Sequence, residues 1–94
     1  MIALFAIIRN VKSKHAKTLR SVFTKPTPAT LAFADIESLL LGLGATLHER
    51  EGSRVKFTLC VEEWHAHRPH PGKEAKKYQV ESAREFLQRL GIKP

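Results

Sequence analysis

At 94 residues the chain has room for one domain, and with 43% hydrophobic residues it fills one modest core but not two. Its 16 Lys and Arg against 9 Asp and Glu give a formal charge of +7 at pH 7, which favours a polyanionic partner, nucleic acid or an acidic protein surface, and names no chemistry. The single cysteine, Cys60, excludes an intrachain disulfide framework and a Cys-based zinc site, suits a reducing cytosol, and reads as a core or strand thiol.

The opening MIALFAII is apolar. It is too short to span a bilayer and lacks a positively charged n-region and a small-residue cleavage site, so neither membrane insertion nor export is expected and the protein is placed in the cytoplasm. Residues 2–8 read equally as an added strand, a partner-facing segment or an extension outside the core.

From Arg9 to Lys25 the chain carries Arg9, Lys12, Lys14, Lys17, Arg20 and Lys25 with no acidic residue, while Leu19, Val22 and Phe23 recur at helical spacing. The pattern predicts a short basic helix over about residues 14–24, closed off by Pro26 and Pro28, which cannot continue an ordinary helix. Its charge is either an RNA contact or a solvated face. Leu31 and Phe33 then lead into Ile36, Leu39, Leu40 and Leu43, the i, i+3, i+4, i+7 series of an amphipathic helix. Asp35 and Glu37 favour its positive N-terminal dipole, a structural role, and Gly42 and Gly44 mark its exit, where positive φ is commonly needed.

The period changes at Arg54. Val55, Phe57 and Leu59 alternate with Arg54, Lys56 and Thr58, the mark of a half-buried strand. Thr46 to Glu49 supplies a partner strand through a turn containing Gly52 and Ser53, and Trp64 to Arg68 a third across a turn near Val61 to Glu63, giving a three-stranded antiparallel meander. Pro69, Pro71 and Gly72 end the third strand, and the polar run Lys73 to Lys77 reads as a loop. In the closing helix Val80, Ala83, Leu87 and Leu90 form one stripe with Phe86 beside it, and Gly91-Ile92 fits a C-terminal motif in which Ile92 packs back on Leu87. No internal repeat, low-complexity tract or long linker divides the chain. The expected architecture is α+β, a three-stranded antiparallel sheet with helices on one face and an N-terminal basic helix added, the other sheet face remaining polar.

Three histidines are packed into WHAHRPHP as His65, His67 and His70. His65 and His67 share a strand face, so a three-His metal site is geometrically conceivable, but no carboxylate or cysteine stands at a recognisable ligand spacing and no metal is expected. Metal-independent RNA cleavage needs a base for the ribose 2′-OH, an acid for the leaving oxygen and a cation for the charged phosphorane. Histidine, with an unperturbed pKa of about 6.5, suits both proton transfers. Arg54, Lys56 and Arg68 are candidates for the fixed charge. By strand alternation Arg54 and Lys56 share the polar face with His65 and His67. The bland alternative is a basic sheet face with surface histidines and no catalysis.

The succession DIESLLLGLGA, EREGSRVKFTL, HRPHPGKE and REFLQRLGIKP resembles the HicA toxins: a helix ending in Gly, Gly-Ser leading into a strand, a Pro/His strand exit, and a closing helix ending in Gly-Ile. The likeness covers about residues 30–94, so residues 1–13 read as an extension, 14–29 as the basic helix and Pro turn, and 30–94 as the core of one domain. KHAKTLRSVF is similar to an N-terminal addition in one branch of the family. The resemblance implies a double-stranded-RNA-binding-domain-like fold, cleavage of mRNA without a cofactor, and neutralisation by a HicB-like antitoxin. HicA toxins usually carry a catalytic histidine directly after Gly-Ser, whereas here Gly52-Ser53 is followed by Arg54. Two expectations follow. Either His67 or His70 performs the proton transfers with Arg54 as phosphate clamp, or the protein binds RNA without cutting it efficiently. His70 matches a histidine common at the family's strand exit, where it orients RNA or holds the loop. The expected RNA contacts are Lys14, Lys17, Arg20, Ser53, Lys56, Arg68 and Lys73.

Overall fold

The computed structural model describes residues 12–94, so the readings made for residues 2–8 and for Arg9 lie outside the described residues. The basic helix α1 runs Ser13–Val22 and buries Thr18, Leu19 and Val22. It stops four residues before Pro26. Its terminal carbonyls are met by Arg84, a buried side chain that donates Nε–H to the Val22 carbonyl at 2.9 Å and Nη2 to Thr24 and Thr27 oxygens. A cation there also suits the negative end of the helix dipole.

Helix α2, Phe33–Gly42, buries Phe33, Ile36, Leu39 and Leu40 and has Asp35 in its first turn, as the periodicity predicts. Gly44 (φ 102°) closes it in a Schellman motif, with its N–H on the Leu41 carbonyl and that of Ala45 on the Leu40 carbonyl. Gly42 has a different reason from the expected positive φ: a Cβ there would fall 2.5 Å from the His15 ring, so its bare backbone lets α1 approach α2.

Strands β1 (Thr46–Glu49), β2 (Arg54–Leu59) and β3 (Glu62–His67) form an antiparallel sheet in the order β1-β2-β3. The third strand begins two residues earlier than its alternation suggests, because Leu59 pairs directly with Glu62 and leaves only Cys60 and Val61 to make the turn. Cys60 is therefore neither a core nor a strand thiol. It is exposed and takes φ 56°, the left-handed conformation that so tight a reversal demands.

Helix α3, Lys77–Arg89, ends in the Schellman motif expected of Gly91-Ile92: Gly91 has φ 75°, and the N–H of Ile92 reaches the Leu87 carbonyl at 2.9 Å. The run Lys73 to Lys76 before it is more tied down than a plain loop, since Phe33 N–H donates to the Lys73 carbonyl and Ala75 N–H to that of Leu31. One core joins the layers. Val55, Phe57, Leu59 and Trp64 meet Phe33, Ile36, Leu39, Val80, Phe86 and Leu87, with the Trp64 ring stacked on both Phe33 and Phe57. Helices α2, the three strands and α3 give the α-β-β-β-α order of a double-stranded-RNA-binding-domain-like fold, and α1 packs on α2 and α3.

Candidate nucleic-acid interface

The strand register decides what faces outward. Val55, Phe57 and Leu59 are buried, so their neighbours point to the open side: Arg54, Lys56 and Thr58 from β2, Glu63, His65 and His67 from β3, and Thr46 and His48 from β1. Arg54 pairs with His67, while Lys56 lies between His48 and His65. Arg54, His65 and His67 are exposed and, with Arg50, Val55 and Ala66, line a shallow depression of about 170 Å³.

Local geometry fixes the end of this face. Gly52, at φ 64°, makes the turn that delivers Ser53 and Arg54, and the Ser53 carbonyl accepts the N–H of Arg68 at 2.8 Å, tying the turn to the exit of β3. From the helix layer, Gln79 donates Nε2–H to the His67 carbonyl at 2.7 Å. The His67 ring is thus carried on backbone held from both sides.

Glu63 is the carboxylate that the sequence reading passed over. It accepts a hydrogen bond from His65 Nε2 at 3.2 Å and lies 3.8 Å from Lys56 Nζ. The bond from His65 first, and the Lys56 charge after it, hold its carboxyl below the ordinary 4.5. The i, i+2 spacing of Glu63 and His65 is the signal that places them on one strand face. His48 joins the same row, with its Nε2 3.4 Å from Thr58 Oγ1.

The remaining expected contacts are spread apart. Arg68, expected at a phosphate, instead spends its guanidinium on two carboxylates: Nε and Nη2 donate to Glu37, and Nη1 and Nη2 to Glu49, at 2.8–3.2 Å. Those bonds raise its pKa above the usual arginine value and make it a strut between β3, α2 and β1. Lys14, Lys17 and Arg20 are exposed on α1, which packs on α2 and α3, so these cations belong to the helical side and do not line the depression. Ser53 is exposed in a turn, His70 at a bend and Lys73 in the segment leading to α3, and His70 is not among the residues of the depression. No group of three or more His, Cys, Asp or Glu side chains able to hold a metal ion occurs among the described residues.

The sequence model of a family described as the HicA toxin of bacterial toxin-antitoxin matches residues 33–92, well over half of the chain. The chain belongs to the HicA toxin family. The HicA match takes in α2, all three strands and α3, and leaves α1 outside it. Neither a curated protein nor a solved structure matched. Membership as a HicA toxin implies an antitoxin partner in general, and no helix among the described residues is long and apolar enough to cross a membrane.

The ion pairs around this HicA sheet give a pH prediction. The carboxyls of Glu49, through hydrogen bonds from Arg68, and of Glu63 both titrate below 4.5. A depressed carboxyl contributes stability that is complete above its unfolded pKa and is lost as pH falls through its folded one. The melting temperature is therefore expected to fall once pH drops below 4.5, and Glu49→Gln to make that fall shallower. Melting curves of both proteins from pH 7 to pH 3 check this; parallel acid slopes would contradict it.

Proposed function

We propose that this HicA-family chain is a toxin that binds mRNA on the open face of its sheet and cuts it, and that a HicB-like antitoxin neutralises it. The observation that carries the reading is the pairing of exposed Arg54 with exposed His67 at the end of that face, beside His65 with its bound Glu63. In the proposed reaction His67 takes the proton of a ribose 2′-OH, whose oxygen attacks the adjacent phosphorus. Arg54 stabilises the charge of the phosphorane, and His65 returns a proton to the departing 5′-oxygen. Glu63 holds His65 through Nε2, which leaves Nδ1 for the substrate. His70, on the loop beyond Pro69, serves the RNA path rather than either proton transfer. The whole scheme is carried by side chains and is expected to run in EDTA.

A second reading keeps the fold and removes the chemistry: an RNA-binding or antitoxin-binding module. The residue that favours it is Arg54, standing directly after Gly52-Ser53 where HicA toxins usually carry a histidine. Cleavage by the purified protein separates the two.

Both readings require RNA binding governed by phosphate contacts, which a charge of +7 supports. Affinity for RNA is expected to fall steeply between low and moderate salt. Replacing Lys14, Lys17 and Arg20 together by Ala should weaken it modestly for all sequences by lowering the long-range attraction of the whole charge, and less than removing Arg54 and Lys56 from the bound face does. Affinity that is flat with salt would overturn the proposal. An acidic antitoxin is the complementary partner, expected to cover the polar sheet face and the basic helix; RNA affinity persisting in a saturated complex would place it elsewhere.

A further inference from the structure

Tyr78 is the only tyrosine in the chain; it lies outside the core, with 62% of its surface exposed. It stands in the first turn of α3, against the outer edge of β3, a strand with no neighbour beyond it in the sheet. There a small groove is lined from β3 by His65, Ala66 and His67 and from α3 by Tyr78, Gln79 and Ser82. The same two histidines line the depression that contains Arg54, so the groove and the depression meet across β3. Gln79, next to Tyr78 in the helix, is the residue that holds the His67 carbonyl, which couples the ring's position to that of His67.

The groove is small, about 60 Å³, a cleft beside the Tyr78 ring and not a pocket that encloses a base. Lys73, Lys76 and Lys77 are exposed just before Tyr78 in the chain, with Glu74 among them, and the first turn of α3 contains no acidic residue. An exposed aromatic ring that shares a groove with an imidazole pair, on a basic protein, suits an unpaired nucleotide: the base stacks and the phosphate is attracted. A base inside a duplex has both faces covered and cannot use such a ring.

We propose that Tyr78 is the stacking platform for one unpaired base, so that the substrate is single-stranded RNA crossing the outer edge of β3, with its backbone over His65 and His67. This rests on the RNA-binding reading above and names the strandedness of the substrate and the subsite beside the proposed scissile position.

The test uses fluorescence anisotropy with a labelled single-stranded RNA, 2′-O-methylated throughout so that it cannot be cut, and with a hairpin duplex of the same bases. Tyr78→Phe is expected to bind the single strand within about twofold of wild type, and Tyr78→Ala about tenfold more weakly, with the duplex unaffected. Removing the stacked base from the oligonucleotide should weaken wild type but not Tyr78→Ala. Three results would overturn the proposal: unchanged single-strand affinity in Tyr78→Ala; equal losses for single strand and duplex; or a loss in Tyr78→Phe as large as in Tyr78→Ala. Failure of wild type to bind any RNA removes the RNA-binding reading as well, whereas normal binding indifferent to Tyr78 removes this inference alone.

Discussion

His67→Ala is expected to reduce cleavage of a defined single-stranded RNA by about 10²-fold or more, the usual scale of general acid–base catalysis, while leaving the protein folded. Folding is spared because the His67 ring is exposed and its fixed part is the backbone, held by the Arg54 pairing and by Gln79. His65→Ala belongs with it, since the second proton transfer rests on that ring and its Glu63 contact. Arg54→Ala should slow the reaction by removing the cation opposite His67, and Arg54→His places the family's usual residue after Gly52-Ser53. His70→Ala, outside the depression, is expected to change the rate less than His67→Ala. Single-turnover assays in EDTA measure all of these on one substrate. Cleavage by wild type that survives His67→Ala undiminished removes the catalytic assignment, and a wild type that binds RNA without cutting it establishes the binding module instead.

Phe57→Ala is expected to cost about 3–5 kcal/mol of folding stability. Phe57 has no exposed surface and lies at the centre of the sheet's inner face, its ring 5.6 Å from that of Trp64, which itself stacks on Phe33 of α2. Truncation leaves a cavity that three elements share and that none can collapse to fill without disturbing the others. Against a total of about 5–15 kcal/mol for a domain, such a loss shifts a large part of the population towards the unfolded state. Val61→Ala, at a turn residue 93% exposed, should stay within about 0.5 kcal/mol and serves as the control. Urea unfolding followed by Trp64 fluorescence reads both variants; similar midpoints for the two would mean that the sheet and helices do not share one core.

What the sequence disclosed was whatever has a period or a local signature. The apolar spacing of Ile36, Leu39, Leu40 and Leu43, the alternation of Val55, Phe57 and Leu59, and the Gly91-Ile92 ending all appear where expected, because helices, strands and Schellman motifs are written in neighbouring residues. Strand alternation also placed Arg54 and Lys56 on one face with His65 and His67, as the register has it. What stayed hidden depends on distant partners. Nothing near Arg84 announces that it is buried against carbonyls some 60 residues earlier, and nothing near Arg68 announces Glu37 and Glu49, 31 and 19 residues away. Arg68 therefore read as a free cation. The sequence offers Cys60 as a core or strand thiol and the turn as Val61 to Glu63, one step late, which hides the face that Glu63 shares with His65. Tyr78 falls off the apolar stripe of α3, and only the meeting of α3 with the edge of β3 gives it a neighbourhood.

The most direct test of the account is where RNA touches the protein. An amide-shift titration of the free protein with an uncleavable 2′-O-methyl single strand is expected to move residues 54–56 and 65–67 together, with the Tyr78 amide following and the α2 amides of Ile36 to Leu40 still. Saturable shifts on β2 and β3 are the result the account predicts; shifts confined to the helical side, with the open face of the sheet unchanged, would contradict it.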